Sequence, residues 1–74
     1  LLTLFHGRTE LINKLIGKSD DEIAALITGW ATQRDNLGRP LIENPKNRKR
    51  AEFAEILKQN NLIKLSAESF RKKL

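Results

Sequence analysis

Ser19-Asp20-Asp21-Glu22-Ile23-Ala24-Ala25-Leu26-Ile27-Thr28-Gly29-Trp30 is the stretch whose pattern decides the fold class. Ser followed three residues later by Glu is a capping box. The Ser19 hydroxyl is placed to accept from the Glu22 amide, and the Glu22 side chain to reach back to the Ser19 amide. The acids at 20–22 sit at the positive end of the helix dipole. Ile23, Leu26, Ile27, Trp30 and Ala31 then recur at the i, i+3, i+4, i+7, i+8 spacing of one helical face. Gly29 weakens such a helix by up to about 1 kcal/mol relative to Ala, and a close helix crossing at that point is the expected reason.

On the N-terminal side, Leu11, Ile12, Leu15 and Ile16 form a second helical stripe that Leu4 and Phe5 extend backward. Two starts are open for this helix: near Thr3, or at Thr9 as N-cap if Gly7 breaks the chain. Gly17 stops it. On the C-terminal side, 36–40 is a loop by composition. Asn44-Pro45 restarts a helix, Asn as a good N-cap and Pro preorganised for the first helical position. That helix is expected over Pro45 to about Asn60, burying Phe53, Ala54, Ile56 and Leu57. Leu62, Ile63 and Leu65 make an apolar connector. Ser66 caps a last helix carrying Ala67, Phe70 and Leu74 on one side. No segment alternates with period two for long enough to propose a sheet. The expected fold is all-α: a small compact bundle of about four helices with short loops, residues 1–74 forming a single helical domain.

The chain has 74 residues, no cysteine and no methionine, and opens Leu1-Leu2. A domain excised from a larger protein is expected on those grounds. A core this small rarely supplies more than about 3–5 kcal/mol, and neither disulfides nor a thiolate metal site can reinforce it. The longest apolar run, Ile23 to Ile27, is far short of the ~20 residues that span a bilayer. No secretion signal is visible, so a soluble cytoplasmic setting without membrane contact is expected.

Most enzymatic readings lack their residues. His6 is the one histidine, so a zinc site would have to be built from scattered carboxylates. The glycines at 7, 17, 29 and 38 stand alone and form no phosphate-cradling loop. Asp20, Asp21 and Glu22 are better explained by capping than by a metal, because adjacent positions project differently around a helix. Ser66 and Ser69 have no histidine at hand. No active site, cofactor or small-molecule substrate is expected. Trp30 shares a stripe with Ile23 and Ile27, which makes it a core residue in preference to a base-stacking platform.

Charge carries the one functional signal. Residues 38–74 hold ten bases against four acids, while residues 1–37 hold four bases against five acids. A one-sided distribution of this kind favours a polyanion docking on the C-terminal half. Lys46, Arg48, Lys49 and Arg50 fall in the first turns of the expected third helix, where cations oppose the dipole and free amides suit a phosphate. Lys58, Lys64, Arg71, Lys72 and Lys73 extend the patch. The leading expectation is an accessory nucleic-acid-binding domain of a replication, transfer or regulatory protein. It would contact phosphates, with DNA ahead of RNA. The rival is a protein-interaction or oligomerisation module whose apolar faces on helices 1 and 2 are only partly covered within the domain.

Residues 47–74 resemble the opening of a winged-helix or helix-turn-helix domain. A basic helix ending Ile56-Leu57-Lys58-Gln59-Asn60 leads through Leu62-Ile63-Lys64-Leu65 to a Ser66-capped helix, and the resemblance implies DNA binding. Residues 7–30, with their 19–22 cap, are similar to helical accessory segments of plasmid and phage replication primases. Neither resemblance identifies a family.

Overall fold

A computed structural model describes residues 3–74. Four helices follow in order: α1 (Thr9–Asn13), α2 (Asp20–Thr32), α3 (Arg50–Gln59) and α4 (Ala67–Arg71). No strand occurs among the described residues, and the one isolated bridge pairs Arg34 with Pro40. The Cα radius of gyration is 11.3 Å, which matches the about 11 Å of a compact chain of this length.

The all-α expectation holds, with shorter helices than the sequence suggests. Only α2 and α3 run to more than five residues. Chain between helices therefore supplies much of the core. Phe5, Leu15 and Ile42, none of them helical, are fully buried beside Ile23, Ile27, Phe53, Leu57 and Phe70. At the centre the rings of Phe5 and Phe53 meet edge to face, 5.6 Å apart, a favoured aromatic geometry. Trp30 is core, only 7% exposed. Helices α3 and α4 pack directly on each other.

Three helix starts show how local chemistry acted. At α2 the Ser19 hydroxyl accepts from the Glu22 amide at 3.2 Å, as the capping box requires. The Glu22 carboxylate returns to the Ser19 hydroxyl at 3.1 Å, not to its amide. At α4, Ser66 accepts from the Ser69 amide at 3.2 Å. The first helix takes the later of its two starts, and Thr9 is its first residue instead of its N-cap. His6 and Gly7 have φ of +52° and +75° and fold the chain into a turn, so the 3–7 segment does not continue the helix. Leu4 and Phe5 still reach the core because that turn is docked on the 33–43 loop. The Glu43 amide donates to the Leu4 carbonyl at 2.8 Å.

Two further expectations are corrected. The third helix begins at Arg50, not Pro45. Asn44 does accept from the Lys46 amide at 3.0 Å, but it caps an isolated turn over 45–49. Arg48, at φ +65°, turns the backbone out of the right-handed helix before α3 begins. At Gly29 no helix crosses, since an added Cβ would meet nothing within 4 Å.

Candidate nucleic-acid interface

Each cationic side chain takes its place from the turn or helix end that carries it. The 45–49 turn and the first residue of α3 present Lys46, Arg48 and Arg50 on one side. Helix α4 packs on α3 and delivers Arg71 and the residues after it to the same side. Lys46, Arg50, Arg71, Lys72 and Lys73 line one open depression, with Leu74. An adjoining depression is lined by Lys46, Arg48, Arg50 and Arg71, with Pro45 and Ala51. Six of the nine expected residues are thereby gathered from two segments that are distant in sequence.

The other three are not brought there. Lys49 is half-buried and its ammonium pairs with Glu52 at 3.4 Å. Lys58 lies at the other end of α3 and donates to the Lys64 carbonyl at 3.3 Å. Lys64 sits in the connector, where its amide donates to Asp20 at 2.9 Å. These three line neither depression.

Pairing divides the six further. Lys73 forms an ion pair with Asp21 on α2 at 2.5 Å. Lys46, Arg48, Arg50, Arg71 and Lys72 form no ion pair among the described residues. Glu55 and Glu68 line the next hollow, which shares Ala51 and Arg71 with the basic surface. Five cations without an ion-pair partner on one surface give it a positive field that suits a polyanion.

The backbone adds donors. Lys49, the N-cap of α3, makes no side-chain cap. The amides of Arg50, Ala51 and Glu52 find no acceptor among the described residues, and such orphan amides at a helix start suit an anion.

Sequence reasoning missed two carboxylates, Asp20 and Asp35, that join segments distant in the chain. Asp20 accepts the amides of Lys64 and Leu65, at 2.9 and 2.8 Å, beyond its place in the first turn of α2. Its own desolvation pushes the Asp20 pKa up, but those two amides and the ammoniums of Lys64 and Lys73 outweigh it and hold the group below the ordinary carboxylate value. Asp35 organises the 33–43 loop. It accepts the amides of Leu37 and Arg39, both at 2.9 Å, and receives the Arg8 guanidinium at 2.8 Å. The Arg39 amide is the main cause of its lowered pKa; desolvation opposes it, and the Leu37 amide and the charge of Arg39 assist. An Asp-x-x-Gly loop hints at the local turn, whereas nothing local points to Arg8, 27 residues away.

His6 has its Nδ1 3.2 Å from the Pro40 carbonyl and its Nε2 3.1 Å from a Glu43 carboxylate oxygen. No three His, Cys, Asp or Glu side chains converge among the described residues in a way that could hold a metal ion. No helix of the described residues is long and apolar enough to cross a membrane. Comparison with family models, curated proteins and solved structures found no match.

Proposed function

We propose that this chain is an accessory nucleic-acid-binding domain that contacts phosphates through Lys46, Arg48, Arg50, Arg71 and Lys72. One observation carries the reading: five unpaired cations from the 45–50 and 71–72 segments share one open surface. Each phosphate they neutralise releases condensed counterions, and that release drives binding at moderate salt. The free amides at the start of α3 add donors that need no side chain. Lys73 contributes less, because Asp21 already neutralises it.

The rival docking module depends on uncovered apolar faces on α1 and α2. Leu11, Ile12, Ile23, Ala24, Ile27 and Trp30 are turned into the core. Among the described residues, the large apolar side chains left exposed are Ile16, Leu37 and Leu65, which lie on separate non-helical segments. The geometry therefore favours the polyanion.

The test reverses two charges that line both depressions. R50E/R71E is expected to weaken binding to every nucleic acid and to lower the log–log salt slope by about 2. Lys58→Glu, off the surface, leaves both unchanged. Equal affinity of R50E/R71E and the unaltered chain, with matching circular dichroism spectra, would remove this surface from consideration.

A further inference from the structure

Resting on the reading above, we infer that the nucleic acid this surface takes is a double helix held by its phosphates, not a single strand held by its bases. The observation is where the aromatic side chains lie. Proteins that bind single strands combine a basic groove with aromatic platforms on which successive bases stack. This chain has four aromatic residues, Phe5, Trp30, Phe53 and Phe70, and they are 0, 7, 0 and 0% exposed. None of them lines either basic depression. The imidazole of His6 is engaged by Pro40 and Glu43.

Turning one of these rings outward to stack on a base is not a cheap rearrangement. Emptying a Phe or Trp site in a core costs as much as the whole stability a core of this size supplies. A single strand therefore meets charge alone here, with the guanidinium planes of Arg48, Arg50 and Arg71 as the remaining stacking surfaces.

On charge alone the duplex wins. A double helix carries one negative charge per about 1.7 Å of axis. Its affinity varies with salt at a log–log slope of about −0.9 per neutralised phosphate, against about −0.7 for a single strand. With the five unpaired cations each on a phosphate, those coefficients give slopes of about −4.5 and −3.5. A slope difference of about 1 amounts to roughly tenfold in affinity at about 0.1 M salt, relative to a 1 M reference where the electrostatic contribution is small. The lining side chains are Lys, Arg, Pro, Ala and Leu, so base-edge contacts are restricted to Arg or Lys on guanine.

The experiment is fluorescence anisotropy of the full chain with labelled DNA duplex, each of its separated strands and the matching RNA duplex, at salt from about 50 to 200 mM. The expected result is a duplex bound roughly tenfold tighter than either strand near 0.1 M salt, with the steeper slope. The DNA-to-RNA ratio then assigns which double helix is preferred, and either assignment supports the inference. Strands bound as tightly as duplex, or tighter, overturn the inference while leaving phosphate binding intact, and would put the arginine planes on the bases. No binding of any probe at the lowest salt overturns this inference and the proposed function together.

Discussion

The carboxylate of Asp20 accepts the backbone amide of Lys64 at 2.9 Å and that of Leu65 at 2.8 Å, joining the first turn of α2 to the connector between α3 and α4. A second tie runs beside it, from Lys73 to Asp21. Together they hold the segment that carries Arg71 and Lys72 against the body of the domain. Asp20→Ala removes the acceptor for both amides and is expected to lower stability by about 1–2 kcal/mol. Asp20→Asn, which keeps one carbonyl oxygen, should lose less. Urea denaturation followed by helical ellipticity measures both. The Ser19 cap on the same turn is untouched by either change, so α2 itself remains formed.

The Asp20 tie, together with Asp35 in the 33–43 loop, makes stability depend on acid. Asp20 and Asp35 both have folded-state pKa values below the ordinary 3.8. A carboxylate depressed on folding contributes stability that is fully present above its unfolded pKa and is lost as pH falls through its folded value. The melting temperature is therefore expected to hold steady from neutral pH down to about pH 5, then fall below about pH 4. In Asp20→Asn that acid-induced fall should be shallower. A melting temperature in the variant that falls as steeply as in the unaltered chain would remove Asp20 from this account.

Gly29 sits in open space on α2 with no neighbour for a Cβ to strike, and its φ lies outside the left-handed region. Gly29→Ala is expected to stabilise the protein by about 0.5–1 kcal/mol through helix propensity. Thermal melts read this directly, and binding to nucleic acid should not change.

Arg48 stands in the left-handed region at φ +65°, where a side chain is disfavoured and Gly is not. Arg48→Gly is expected to raise stability by up to about 1 kcal/mol. The same change removes one cation from the basic surface, so affinity for nucleic acid should fall and the salt slope should lessen by about 1. A rise in melting temperature together with weaker binding would indicate that Arg48 is kept there for its charge. Weaker stability would instead show that the side chain supports the turn.

Signals that act within a few residues were legible in the sequence. The caps at Ser19 and Ser66 and the buried stripes of α2 and α3 all lie within one or two turns of the residues that cause them. Helix length was less legible. The 45–49 turn has the Asn-Pro start of a helix, yet Arg48 leaves the right-handed region. Ile42 is completely buried although it lies in a loop without periodicity. A lone apolar residue signals its burial only through what folds over it.

By itself the sequence determined an all-helical chain, its principal caps and the excess of bases after Gly38, because helix chemistry is local and charge is additive. Tertiary structure alone decided which of those bases stand together unpaired. Lys46, Arg48 and Arg50 meet Arg71 and Lys72 because α4 packs on α3 and Asp20 and Asp21 anchor the segment around it. Lys49, Lys58 and Lys64 are equally basic in the sequence, but the fold commits them to Glu52, to a carbonyl and to the connector. Proximity between residues some twenty positions apart depends on long-range packing, and no local pattern encodes it.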